Sequence, residues 1–359
     1  MSNKNLTILG IIAAVMIVLT VLQSQYSKMS AKPPTTAPAN LIQGLDPSLI
    51  AAVTIQSSDN TVNLSRNGNS FVAPEKDGYP VKTKQINDLI TKVLDIKTRE
   101  MVTDSPANHP DLEVTEEKAQ TVVKFSDNAG NIITGVIIGK RTEKGDNFVR
   151  LTSSDNVYLA GGAPYLNSST ISYLEQQITD VDTDGIITVS VTDPNTNYKL
   201  VSKTGSDAIT FENLPTGKKL KEAEAKNVFS ALDNLTFEDV SKTPPQGLDF
   251  NHKYICTLEN STVYTVLLAQ KDDKTFLKCS AEFTDERPAE INKSESEEEL
   301  KAKEAKLLAD DAVQSFNAAH TGWIYQISEN KANNLIMRPE ELLEDEKEEE
   351  PPADENSEG

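Results

Sequence analysis

Strict alternation of apolar and polar positions runs through most of this chain, and helical spacing interrupts it at a few places. Ala51–Gln56 and Thr61–Arg66 alternate on either side of Ser-Ser-Asp-Asn, which predicts a β-hairpin. Lys82–Ile96 places Ile86, Leu89, Ile90, Val93 and Leu94 at steps of three and four, the spacing of one apolar helix face. Thr121–Phe125, Ile132–Ile138, Asn147–Leu151 and Val157–Leu159 alternate again between turn residues, so a meander follows. Ser168–Ile178 is read as a closing helix.

The pattern then restarts. Ile186–Thr192 with Tyr198–Val201 repeats the hairpin, and a helix predicted over about Leu220–Leu235 takes the place of the first one. Its exit, Leu232–Val240, matches Leu94–Val102 at five positions: Leu, Asp, Thr, Glu and Val. Three strands run to Phe283, a charged insertion of about 285–319 reads as a solvated helix, the strand Gly322–Ile327 follows, and a short helix near Asn330–Met337 ends the unit. The expected fold class is α+β. Two tandem related domains, residues 46–182 and 183–339, each pack an antiparallel β-meander on helices.

The ends of the chain read differently. Leu6–Leu22 contains no charged residue and, at about 1.5 Å per residue, approaches the thickness of a bilayer core. Residues 1–29 are therefore expected to form an N-terminal tail and a single transmembrane helix at about 6–22; Gln23–Lys28 offers no small-residue cleavage site. Lys4 on one flank balances Lys28 and Lys32 on the other, so charge does not orient the helix. A short N-terminal tail ahead of a large C-terminal body predicts a single-pass protein of the cytoplasmic membrane, its body on the extracytoplasmic side. Residues 30–45, rich in Pro, Thr and Ala, form an extended tether.

Charge narrows the partners. The net charge is −20, and the stretch 340–359 alone holds eleven acids and one Lys, so it is expected to be an acidic disordered tail. No Lys/Arg stripe suited to a phosphate backbone occurs, which excludes nucleic acid as a partner; the membrane is met through the N-terminal helix alone.

The chemistry-bearing residues are sparse. Asp180, Asp182 and Asp184 ahead of Gly185 start like a calcium loop, but the twelfth position is Val191 where a bidentate Glu is needed, and a turn between the repeats explains the same residues. Cys256 and Cys279 lie in two alternating segments: a disulfide between adjacent strands and two small core thiols are both open. His109, His252 and His320 are scattered as surface or boundary residues without spaced partners for zinc, and no Gly-x-Ser-x-Gly elbow or phosphate loop occurs. No catalytic residue, metal or cofactor is assigned. Trp323 and Tyr325, two apart on a strand, point the same way and serve either core packing or a partner surface.

The single N-terminal apolar helix, the doubled hairpin, helix and meander, and the late Gly-Trp-Ile-Tyr-Gln-Ile strand resemble the bacterial domain-of-unknown-function family numbered 4340 over roughly residues 50–340. The resemblance implies a cell-envelope protein, often encoded beside an ABC transporter of the gliding-motility type, with permease and auxiliary subunits as partners and no established chemistry. The expected function is a non-catalytic accessory or scaffold. A cell-wall or polysaccharide binding module is the alternative, and a carboxylate-based hydrolase comes after it.

Overall fold

Alternation turns into strand at nearly every position where it occurs. In chain order the first strands are β1 (Ala39–Asn40), β2 (Ala52–Gln56), β3 (Thr61–Asn67), β4 (Ser70–Ala73), β5 (Tyr79–Pro80), β6 (Lys97–Thr103), β7 (Thr121–Ser126), β8 (Ile132–Arg141), β9 (Asp146–Leu151) and β10 (Val157–Gly161). Then come β11 (Gln177–Thr179), β12 (Ile186–Thr192), β13 (Asn197–Ser202), β14 (Ile209–Phe211), β15 (Lys218–Leu220), β16 (Leu235–Thr236), β17 (Asp239–Ser241), β18 (His252–Leu258), β19 (Thr262–Lys271), β20 (Lys274–Phe283), β21 (Ile324–Ile327) and β22 (Leu343–Asp345). The helices are α1 (Thr83–Leu94), α2 (Glu222–Phe229), α3 (Glu297–His320), α4 (Glu329–Ile336) and α5 (Pro339–Leu342). The computed structural model describes residues 39–58, 60–202, 208–287 and 296–346. Its fold is α+β, with antiparallel sheets dominating and few helices. The apolar segment at 6–22 lies outside the described residues, and none of the described helices is long and apolar enough to cross a membrane.

The chain divides into two units. Unit 1 comprises the residues up to Asn69 and Thr83–Ser169; unit 2 comprises Ser70–Lys82 and everything from Thr170 onward. In unit 1 the strands lie in the order β1-β6-β10-β9-β8-β7-β2-β3. Its core follows from period two: Val53 pairs with Leu64 and Phe125, Ile55 with Val62 and Val123, and all six are buried. The predicted first helix is α1, which buries Ile86, Leu89, Ile90 and Val93 on one stripe. Gly139 on β8 has a specific reason, since a Cβ there would stand 2.5 Å from the Leu112 carbonyl oxygen. A side chain at that position would push the 109–114 loop off the strand.

Unit 2 is built on an eight-stranded sheet in the order β14-β13-β12-β18-β19-β20-β21-β17. One face carries Val189, Leu200, Tyr254, Cys256, Val266, Leu268, Leu277 and Tyr325, all buried. Tyr254 fixes α2 over that face by donating its hydroxyl to the Val228 carbonyl at 2.8 Å. The inserted helix α3 starts with a capping box between Ser296 and Glu299 and leaves Leu300, Leu307 and Leu308 exposed. Its C-terminal half is seated, with Ala309, Val313 and His320 buried and Phe316 meeting Tyr264 edge to face at 5.1 Å. The solvated-helix expectation therefore holds for the first half of α3 only.

Three local expectations are corrected. Ser168–Ile178 is a single 3-10 turn, Thr170–Tyr173, followed by β11; pairing of β11 with β16 and the Thr179 hydroxyl bond to the Leu232 carbonyl at 2.8 Å override the weak helical period. The helix expected over Leu220–Leu235 is the shorter α2, because Lys218–Leu220 pairs with β22 and Asn234 turns the chain with φ at 44°. The acidic tail folds at its start. Leu342 is fully buried in α5, and Leu343–Asp345 forms β22, so the high acid content conceals two leucines that anchor the segment; residues 347–359 lie outside the described residues.

Candidate functional site

Two places in unit 2 gather polar groups that do more than cap turns. The first is buried. Tyr79, on the Ser70–Lys82 segment, meets Trp323 at 4.9 Å, Phe237 at 5.3 Å and Tyr325 at 6.2 Å between ring centroids, each nearly perpendicular. The Tyr325 and Tyr79 hydroxyls are hydrogen-bonded to each other, and Tyr79 donates to the Glu175 carbonyl at 3.2 Å. His320 Nδ1 stands 2.7 Å from the Tyr325 hydroxyl, and the tautomer of the imidazole sets which of the two donates. The chain of bonds thus runs His320, Tyr325, Tyr79, Glu175.

Burial sets the titration of this cluster. It lowers the His320 pKa to about 4 and raises that of Tyr79 to about 12, while Tyr325 is pushed well above the ordinary phenol value. The Cys279 and Cys256 thiols are raised by burial to about 12, so neither is a thiolate near neutral pH. A proton entering at His320 finds only phenols and a backbone carbonyl ahead of it. The network therefore holds side chains in place.

The second place is an open groove of about 920 Å³ between α2, α4 and the end of β19. The amides of Asn227, Gln270, Asn330, Asn333 and Asn334 line it beside Glu224 and Arg338. Glu340, Glu341 and the apolar Ile336 and Met337 complete the lining, so the surface is more polar than apolar and offers the paired donors and acceptors that suit a hydroxyl-rich ligand. No sequence pattern marked it, because its residues come from three elements far apart in the chain.

The residues singled out from sequence go elsewhere. Asp182 caps a 3-10 turn by accepting from the Asp184 N–H at 3.1 Å, and Asp180 accepts from the Asn234 N–H at 3.3 Å. These aspartates serve turn geometry, and among the described residues no group of three or more His, Cys, Asp and Glu side chains could hold a metal ion. Cys256 and Cys279 are free and buried. Their strands β18 and β20 are separated by β19, so about two strand spacings, near 10 Å, lie between them, too far for a disulfide. His109 and His320 are buried rather than superficial, His109 bonding the Asp155 carbonyl at 2.9 Å, while His252 bonds the neighbouring Asn251 side chain at 2.7 Å. Trp323 and Tyr325 are 8% and 0% exposed, so the partner-surface expectation is corrected: what they meet is Tyr79 of the same chain.

No curated protein and no solved structure matches the chain. A family model does match, over residues 72–251, and its description is a domain of unknown function, DUF4340. That match reaches from β4 to the residue before β18, and it covers half of the sequence. The chain belongs to the DUF4340 family.

Proposed function

We propose that this protein is a non-catalytic accessory or scaffold, anchored by its N-terminal helix in the cytoplasmic membrane and displaying two copies of one module on the extracytoplasmic side, in association with an ABC-type transport system of the gliding-motility type. The observation that carries the module reading is the order of the strands. Unit 1 reads β6-β10-β9-β8-β7-β2-β3, and unit 2, taken from its other end, reads β17-β21-β20-β19-β18-β12-β13. Each strand has a counterpart at the same rank in the chain.

Smaller features agree with duplication. The pair β1 with β6 has its counterpart in β11 with β16, and the Lys82 N–H bond to the Tyr173 carbonyl at 2.8 Å is matched by Lys221 N–H to Leu342 at 2.8 Å. A doubled sheet offers broad, rigid surface without gathering reactive side chains, and the buried His320 and thiols are held in their neutral forms. The transport partner itself rests on the family resemblance. Solubilised in mild detergent and captured through a C-terminal tag, the full chain is expected to bring permease subunits with it; their absence under conditions that preserve the transporter would count decisively against this role.

The amide-lined groove supports a second reading, a cell-wall or polysaccharide binding module. On this reading the protein sediments with isolated wall material, and replacing Asn330 and Asn334 together by Ala weakens sedimentation without altering the unfolding transition. Equal sedimentation of the double variant would reject the groove as the binding site.

A further inference from the structure

Helix α3 runs farther than the sheet it packs on. Its buried residues begin at Ala309, while Leu300, Leu307 and Leu308 before it are exposed at 40%, 52% and 62%. On the strand correspondence proposed above, residues 152–156 join β9 to β10 in unit 1, whereas residues 284–323 stand between β20 and β21 in unit 2. The helix is thus an addition to the module. Packing on the sheet accounts for the part of α3 from Ala309 onward, and three exposed leucines before it need another reason.

The leucines share one face. At about 100° per residue, Leu300, Glu304, Leu307 and Asp311 fall within about 40° of the direction opposite Ala309, with Lys303 and Leu308 bordering that stripe on its two sides. Together these six residues line a shallow hollow of about 290 Å³. An apolar seam of this kind, turned away from the helix's own sheet, receives the apolar face of another helix.

The charges select the partner. From Glu297 to Asp311 the helix carries six acids and three Lys. Lys301 is paired with Glu297 at 2.7 Å, and Lys306 turns toward the sheet, 3.1 Å from Asp285. Among the described residues, Glu304 and Asp311 form no ion pair, and they stand between the leucines. A wholly apolar partner would strip water from both carboxylates and offer no counter-charge. A second copy of the chain would bring the same surplus of acid to the contact, and an anionic lipid surface would repel it.

We propose that this face of α3 docks a basic amphipathic helix of a partner protein. Apolar side chains of the partner fill the seam of Leu300, Leu307 and Leu308, and its Lys or Arg side chains pair with Glu304 and Asp311. One helix laid against about four turns of another is a small contact, so the docking is weak, reversible and sensitive to salt.

Amide hydrogen exchange on the full chain in a nonionic detergent tests this. The probes are two synthetic helical peptides of about four turns that share one leucine stripe and differ in carrying Lys or Glu beside it. The Lys peptide is expected to slow exchange of the 300–308 amides at least about fivefold, and the Glu peptide to leave them unchanged. Leu307→Ser combined with Leu308→Ser abolishes the effect. Glu304→Lys combined with Asp311→Lys reverses the preference between the two peptides. Unchanged exchange in β19 shows that each variant is folded. Exchange unaffected by the Lys peptide would overturn the proposal, as would equal slowing by both peptides or slowing by the Lys peptide that survives either double variant. So would slowing without peptide that grows with protein concentration or with added vesicles of anionic lipid, since a second copy or a membrane would then cover the face.

Discussion

Asn317 uses its side-chain amide as a strand residue would use its backbone: its Oδ1 accepts the Ala281 N–H at 2.9 Å and its Nδ2 donates to the Ala281 carbonyl at 2.7 Å. The need arises because β21 pairs with β20 only at Thr275–Leu277, so the later residues of β20 pair with β19 on one side and, among the described residues, with no strand on the other. The pair thus clasps the end of α3 to the sheet. Replacing Asn317 with Ala leaves two part-buried backbone groups unsatisfied and is expected to lower the stability of unit 2 by about 1–3 kcal/mol. Urea unfolding followed by Trp323, the single tryptophan, measures it; an unchanged midpoint would show that water satisfies both groups.

Tyr79 gives the second prediction. Its ring is 4% exposed and packs against three aromatic rings of unit 2, while its hydroxyl contributes bonds to Tyr325 and Glu175. Tyr79→Ala is expected to cost about 3–5 kcal/mol, the range for emptying a large aromatic site, and to red-shift Trp323 emission. Tyr79→Phe keeps the packing and is expected to cost about 1 kcal/mol. If both variants lose the same amount, the hydroxyl chain dominates instead of the rings.

The contrast between these two residues shows where sequence reading succeeds. Period two placed the hairpins of β2 with β3 and β12 with β13, and the three-and-four spacing from Ile86 to Leu94 placed α1, because each signal is local and each element buries one face. Tyr79 carries no such signal. Its neighbours Phe237, Trp323 and Tyr325 are more than 150 positions away, and only the folded sheet brings them together. Trp323 and Tyr325 were legible as a pair pointing one way, yet whether they face solvent or core depends on that distant ring. The same holds for the groove, whose amides come from α2, β19 and α4, and for Leu342, hidden among acids. Compositional averages erase a single buried side chain.

The thiols yield a direct test. With Cys256 and Cys279 on strands separated by β19, and both raised by burial to about 12, neither a bond nor a reactive thiolate is expected. Intact mass should be identical with and without reductant, and a thiol-alkylating reagent should modify both residues only after denaturation. A mass lower by one hydrogen per thiol before reduction would require β18 and β20 to be arranged differently.

His320 makes stability depend on acid in a predictable direction. Burial lowers its folded-state pKa to about 4, against about 6.5 in the unfolded chain, so between these values the unfolded state binds more protons. The contribution of neutral His320 is fully present above about pH 6.5 and is lost progressively as pH falls toward 4. At about 1.36 kcal/mol per unit this amounts to at most about 3.4 kcal/mol. The facing groups are the Tyr325 hydroxyl and the Phe316 ring, and among the described residues no carboxylate bonds the imidazole to offset the cost of charging it. His320→Gln keeps a hydrogen-bonding side chain for Tyr325 but cannot titrate, so its stability should vary less across this interval than that of the parent. Trp323-monitored urea midpoints at a series of pH values measure the difference; parallel profiles for parent and variant would assign the acid sensitivity to carboxylates elsewhere in unit 2.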